Sequence, residues 1–398
     1  MAAFGGRSAR LRSPTTDDTA LARSRIVDYG SRRMRAALLE EAGKPLVVRD
    51  DVTIADPRPG HVRVRVSHCG ICHSDLSLVD GVFPTATPII LGHEAAGVVD
   101  AVGADVDGLA PGDPVVLTPV APCGTCYWCV RGEPGVCLNA SMIATNTFRD
   151  GSTGLARGDQ MVFRGVGVGG FAEHVVTPAT GAVKIPRGVP LDVACVIGCA
   201  VQTGVGAVLN TARVEPGASV LVLGLGGIGL SIVQGARVAG AARIIGVDPV
   251  AARRDAAKRF GATDLVDPAT TDAASYAMEV TGVGVDYAFD AVGRASLVQT
   301  GIAVTRNGGT TVAVGAAPMD DVIAIAPAAL FTLTEKKLMG CALGSCNSVR
   351  DIPRLIALWQ AGRLDLEGLI TSRRPLAEIN QAMDDLRASR GIRTILAI

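Results

Sequence analysis

The stretch "SVLVLGLGGIGL", residues 219–230, decides the fold. It opens with a short apolar run, a length that suits a buried strand, and the run stops at a glycine. Gly224, Gly226 and Gly229 then fall in a G-x-G-x-x-G pattern, and "GLSIVQGARVAGA" continues as a helix. The next strand, "RIIGVD", ends in Asp248, nineteen residues after Gly229. Strand, glycine turn, helix and a terminal acidic residue together form a dinucleotide-binding pattern. The glycines let a pyrophosphate approach the backbone, and the helix N-terminus offers free N–H groups to its charge. Asp248 can accept hydrogen bonds from ribose hydroxyls and would repel a 2′-phosphate, which favours NAD over NADP. Arg253 and Arg254 weigh the other way, since arginine accommodates that phosphate.

Outward from this unit, "DYAFDAV" and "GTTVAVGA" are further short strands with helical spacers, so the sequence predicts an α/β, Rossmann-type doubly wound parallel sheet over residues 201–342. Residues 34–200 read differently. "HVRVRVSHCG" alternates with period two, and "AGVVDAVG", "GDPVVL" and "FAEHVV" are short strands between Gly/Pro turns. Residues 343–398 read as helix, strand, helix and a closing strand "IRTILAI", and are grouped with the β-rich part. The first 33 residues hold seven arginines and little apolar periodicity. They are expected to be a disordered extension, and Asp17, Asp18 and Asp28 argue against a transit peptide.

The 38 basic and 38 acidic residues cancel, which gives no electrostatic footprint for nucleic acid. Residues 193–212 and 217–236 carry no charge, but their polar residues and glycines suit a buried α/β core better than a membrane span. A cytoplasmic protein without membrane or nucleic-acid partners is expected. Ten cysteines in a long chain without a secretory pattern point to metal ligands rather than disulfides.

Four of them, Cys123, Cys126, Cys129 and Cys137, have the spacing C-x2-C-x2-C-x7-C. Such spacing can converge four thiolates on a tetrahedral zinc, and a full set of four leaves no place for substrate. The expectation is a structural site; an iron–sulfur cluster would use similar ligands. A second set is scattered: Cys72 in "GICHSD", His93 in "LGHEAAG" and Cys199 in "IGCAVQTG". A Cys2His set with an open fourth position is how a catalytic zinc is built. Each of the three alone is equally compatible with a core residue.

Taken in order, "GICHSD", "LGHEAAGVV", the four-cysteine stretch, "IGCAVQTGVGAV", "GLGGIGLS", "IIGVD" and "RTILAI" resemble the zinc-dependent alcohol dehydrogenases of the medium-chain dehydrogenase/reductase family. The resemblance implies a β-rich GroES-like catalytic domain bearing a structural zinc lobe, beside a Rossmann domain. It implies two zinc ions per chain, with Cys72, His93 and Cys199 as catalytic ligands, and it selects Cys72 over Cys69. Asp75 would fix the ligand histidine, Glu94 would lie behind the zinc, and Ser74 would take the substrate proton. His73 and Arg393 would face the cofactor pyrophosphate, and Gly227, Thr203 and Val292 complete the expected NAD contacts. Where well-known members carry a histidine three residues after Ser74, this chain has Ser77, so the outward proton route departs from theirs.

The implied reaction is reversible hydride transfer between an alcohol or aldehyde and NAD. By the same resemblance Phe83, Pro119, Val166 and Leu343 line the pocket, and the modest size of Pro119 and Val166 favours a bulky or aryl primary alcohol over ethanol. Two alternatives stand beside it: a thiol-dependent formaldehyde dehydrogenase, and a zinc-stabilised NAD-binding protein without turnover. The segment after the zinc lobe resembles that of dimeric members, so a homodimer is expected, with a tetramer as the alternative.

Overall fold

The computed structural model describes residues 31–325 and 327–398. The disordered extension expected for residues 1–33 lies outside the described residues up to residue 30. Residues 31–33 correct its boundary: they belong to the strand Ser31–Leu39, with Ser31 opposite Ala55 of Val47–Ala55. These three residues are exposed, so no apolar alternation marks them in the sequence.

The stretch at 219–230 forms the strand Ser219–Leu223, a turn and the helix Gly227–Ala239. The strand is central in a six-stranded sheet of order Asp264–Val266, Arg243–Val247, Ser219–Leu223, Val285–Asp290, Thr305–Ala313, Lys337–Gly340. Every pairing is parallel. Val220 and Val222 pack into one core and Leu221 and Leu223 into another, on opposite faces. Burial on both faces is why the strand reads as a continuous apolar run. The strand order reverses beside Ser219–Leu223, and ligands of such sheets bind in the crevice beyond that point.

The β-rich part contains two sheets. His61–Gly70 is the hub of a seven-stranded one, pairing antiparallel with Glu94–Val102, His174–Pro178 and Arg393–Ala397. Its Val62, Val64 and Val66 are buried, which is the period-two alternation of the sequence. Ser31–Leu39 and Val47–Ala55 are central in the six-stranded second sheet, and the core between the sheets includes Leu38, Ile54, Ile89 and Phe171. The helix Ser348–Gln360 packs Ile352 and Ile356 into the same core as Val220, so the two parts share apolar surface.

Residues 193–212 are not one helix. Leu191–Gly198 and Ala200–Ala212 meet at 53° with Cys199 at the break, where the backbone leaves helical geometry (φ −137°, ψ −73°). Among the described residues no single helix is long and apolar enough to cross a membrane.

Candidate active site and its metal centres

Cys72 is the N-cap of the short helix His73–Val79, which also carries Ser74 and Asp75. His93 and Glu94 stand at the start of Glu94–Val102, the neighbour of the hub strand. Cys199 enters from the helix break. The fold thus brings three segments together, and one ligand atom from each of Cys72, His93, Glu94 and Cys199 lies within 4.8 Å of all the others.

Asp75, fully buried, orders this group. Its carboxylate accepts the backbone N–H of Cys72 (3.0 Å), the N–H of Gly92 (2.9 Å) and Nδ1 of His93 (3.1 Å). Nε2 of His93 is therefore the nitrogen left for a metal. Burial disfavours a charge on His93, yet the Asp75 carboxylate outweighs it and holds the ring well above the usual histidine range. The same electrostatic push makes Nε2 a stronger donor. The Cys72 thiol is held well below its ordinary value, chiefly by a hydrogen bond from the Cys199 thiol. Ser74 Oγ sits 3.2 Å from Cys72 Sγ and 3.3 Å from His93 Nε2, on the half-open side of the group.

Glu94 accepts the N–H of Ala200 with Oε1 (3.2 Å), while its buried Oε2 has no hydrogen-bond partner. Arg393 Nε lies 3.5 Å from that oxygen. Burial pushes the Glu94 carboxyl up to about 7, against the pull of Arg393. Arg393 also donates to the carbonyl of Ile71 (2.6 Å), and a Cβ on Gly227 would collide with its guanidinium. One buried arginine therefore touches both the ligand group and the glycine turn.

In that turn Gly224 has φ +90° and lies under the Val292 side chain, and a Cβ on Gly229 would collide with the Gly224 carbonyl. A Cβ on Gly226 would instead point into open space, at the mouth of the helix. Open space at a helix N-terminus is where a phosphate group can approach the backbone N–H groups. Asp248 is buried and accepts the N–H groups of Leu225 and Val250, each at 2.8 Å. Arg253 Nη1 lies 3.9 Å from it. Arg254 is committed elsewhere, to the Asp248 carbonyl (2.6 Å) and to Asp267 (2.9 Å), a division the sequence alone does not reveal. Thr203 is buried in the helix after Cys199, Val292 is half exposed, and His73 is exposed at the start of its helix.

The four-cysteine stretch forms a separate lobe in which Cys123, Cys126, Cys129 and Cys137 bring their sulfurs within 4.8 Å of one another. Backbone N–H groups of Cys123 and Asn139 each reach Cys137 Sγ at 3.3 Å. A backbone hydrogen bond from Thr125 draws the Cys123 thiol down to about 6, whereas burial pushes Cys137 up to about 12. Val120, Trp128, Ile143 and Leu343 pack around the lobe. Leu343, expected in a substrate pocket, packs against the lobe. All-sulfur donors at this spacing fit zinc, and the mixed sulfur–nitrogen group fits zinc with a further position.

His61, His68 and His174 do not reach Ser74. His61 lies between Pro59 and Arg58, His68 against Ser67 and His174 against Arg32. Sequence reasoning missed the Ile71 carbonyl that aims Arg393; nothing in a backbone carbonyl's identity signals it.

Residues 58–187 match the alcohol dehydrogenase GroES-like domain, and residues 227–361 match the zinc-binding dehydrogenase domain. An alcohol dehydrogenase zinc-binding domain protein from Burkholderia ambifaria is 34% identical over 93% of this chain and 100% of its own, with a TM-score of 0.88. A benzyl alcohol dehydrogenase from Acinetobacter calcoaceticus is 30% identical over 92% of this chain and 99% of its own, with a TM-score of 0.87. A protein assigned as a zinc-binding dehydrogenase from Sinorhizobium meliloti 1021, bound to NADP, is 28% identical over 92% of this chain and 100% of its own, with a TM-score of 0.76. With two domain matches and full-length likeness in both sequence and shape, the chain belongs to the zinc-binding alcohol dehydrogenase family.

Proposed function

We propose that the protein is an NAD-dependent alcohol dehydrogenase acting on bulky or aryl primary alcohols and the matching aldehydes. The observation that carries this reading is Arg393, which lies 3.5 Å from Glu94 in the ligand group and against Gly227 in the glycine turn. That contact supports a reading in which metal chemistry and a dinucleotide share one cleft.

Cys72, His93 and Cys199 would hold the catalytic zinc, and Cys123, Cys126, Cys129 and Cys137 the structural one. When bound, the catalytic zinc supplies Lewis acidity that lowers the pKa of a substrate hydroxyl, and NAD supplies the hydride acceptor. Ser74 Oγ, partly exposed beside Cys72 and His93, is placed to take the hydroxyl proton. Asp75 keeps His93 in the tautomer that leaves Nε2 free. Gly226 and the following N–H groups would receive the pyrophosphate, and Asp248, with lone pairs beyond its two backbone bonds, would receive the ribose hydroxyls. A 2′-phosphate would meet that carboxylate, with Arg253 3.9 Å from it and Arg254 already committed to the Asp248 carbonyl and Asp267, which supports NAD. The likeness to a benzyl alcohol dehydrogenase supports an aryl substrate.

A homodimer is the proposed assembly. Among the described residues Lys337–Gly340 is an edge strand paired on one side only, and Leu330 and Leu333, in the helix just before it, are exposed. An open edge beside apolar surface is a template for a second copy.

The test is an alcohol and aldehyde panel with NAD and with NADP, followed by absorbance of the reduced cofactor. Benzyl alcohol with NAD is expected to lead. Preference for formaldehyde with a low-molecular-weight thiol would move the protein to the thiol-dependent class, and no turnover with any pair would overturn the reading.

A further inference from the structure

Val166 carries an unusual backbone: φ 52°, ψ 36°, the left-handed region that a β-branched residue rarely enters. Something must hold it there. Its N–H donates to Oδ1 of Asn146 at 2.9 Å, and Asn146 is itself buried and left-handed (φ 56°, ψ 28°). Asn is one of the few side chains that tolerates this backbone. The amide has no freedom to turn over, because the Val166 N–H can only donate and so fixes Oδ1 toward it. Nδ2 then points the other way and donates to Thr85 Oγ1 at 3.0 Å, while the Thr85 hydroxyl turns toward the Ala86 carbonyl at 3.3 Å. The backbone carbonyl of Asn146 accepts the N–H of Arg164 at 3.0 Å. One buried side chain thus ties residues 82–86 to residues 163–168.

Both tied segments are anchored to the ligand-bearing ones. The N–H groups of Val82 and Phe83 donate to the carbonyl of Ser77 (2.8 and 3.2 Å), in the helix that carries Ser74. Phe171 and Gly170 donate to the carbonyls of Leu91 (2.9 Å) and Gly92 (2.6 Å), directly before His93. A Cβ on Gly165 would lie 2.8 Å from the Ile90 carbonyl, and one on Gly167 would lie 2.9 Å from the Pro119 carbonyl. Both segments are therefore hydrogen-bonded to backbone beside the ligand-bearing residues, and the second is packed tightly against Ile90 and Pro119.

We propose that Asn146 is a positioning residue for substrate selection: by holding Val166 left-handed and fixing residues 82–86 against it, it sets the width of the approach to Cys72 and His93. The inference rests on the proposed alcohol dehydrogenase activity. It predicts that Asn146 acts on alcohol recognition and leaves cofactor recognition alone, because its bonds go to Thr85, Arg164, Val166 and Met142 and none reaches the glycine turn.

Asn146→Gly keeps the left-handed backbone and removes both side-chain bonds; Asn146→Asp keeps the acceptor toward Val166. In the zinc-loaded enzyme, Asn146→Gly is expected to raise KM for benzyl alcohol about tenfold, because the loosened approach positions the alcohol less well. KM for NAD should stay unchanged, and the preference for benzyl alcohol over ethanol should fall. Asn146→Asp should retain most of that preference. Hydrogen exchange supplies a readout free of turnover: the Val166 amide should lose protection in Asn146→Gly and keep it in Asn146→Asp. An unchanged alcohol preference, an equal rise in KM for NAD, or equal behaviour of the two variants would overturn the proposal. If the wild-type protein oxidises no alcohol, the activity assignment falls by itself, and the Val166 amide still decides whether Asn146 holds the loop.

Discussion

Replacing Asp75 by Asn tests the catalytic centre with almost no change in shape. The native carboxylate accepts three donors, the N–H groups of Cys72 and Gly92 and Nδ1 of His93, at 2.9–3.1 Å. An amide has one oxygen, so one side of the new group must present N–H to a donor. If that side faces Cys72, a buried backbone donor loses its partner. If it faces Gly92 and His93, the Gly92 N–H is orphaned, and the imidazole must accept at Nδ1 and carry its proton on Nε2, where the metal should bind. An unsatisfied buried group costs about 1–3 kcal/mol. Loss of a partner that orients a metal-bound histidine typically weakens metal affinity or activity about 10–100-fold, equivalent to roughly 1.4–2.7 kcal/mol. The assay is zinc titration against a buffered chelator series, with kcat/KM measured on the loaded protein. Affinity at one site should fall by that factor while the four-cysteine site, which Asp75 does not touch, serves as an internal control. Wild-type affinity at both sites together with wild-type kcat/KM would refute the assignment of Asp75 as the histidine's orienting partner.

Two glycines three residues apart should respond in opposite ways. Gly226→Ala points into open space and should leave thermal stability near wild type while raising KM for NAD, whereas Gly229→Ala collides with the Gly224 carbonyl and should lower Tm as well. Cys126→Ser should release one zinc and lower Tm first, with activity lost as a consequence; a fully stable but inactive Cys126→Ser protein would contradict a bracing role for the lobe. Burial pushes His61 down from an ordinary value of 6.5 to about 4, with its Nδ1 donating to Pro59 and its Nε2 accepting from Arg58. The unfolded chain therefore binds this proton more readily than the folded one. Its contribution is complete above about pH 6.5 and is lost as pH falls toward 4, so Tm should decline over that window, and less steeply in His61→Gln.

The parts legible in the sequence are those whose physics is local. The glycine turn, its strand and its helix occupy one continuous stretch, and their spacing alone carries the chemistry. The four-cysteine lobe is legible for the same reason. Cys72, His93 and Cys199 are not: their convergence depends on three segments meeting in space, and only the likeness to a family connects them beforehand. Residues 31–33 escaped notice because an exposed strand end needs no apolar alternation. Val166 is less legible still, since a β-branched residue gives no hint of a left-handed backbone, and its support comes from a side chain twenty residues away.

The placement of Arg393–Ala397 bears on how the chain is made. This strand completes the sheet around His61–Gly70, and its arginine grips the Ile71 carbonyl across 322 residues of sequence. On a ribosome, the β-rich body would have its early strands long before that closing strand exists, with the whole nucleotide-binding unit synthesised in between. Non-local pairing of this kind is slow and exposes unpaired edges meanwhile. Cys72 and His93 can meet early, but the pocket around them cannot be sealed until residue 397 is free of the exit tunnel. Synthesis speed, zinc supply during translation and any bulky fusion beside that last strand thus become determinants of yield.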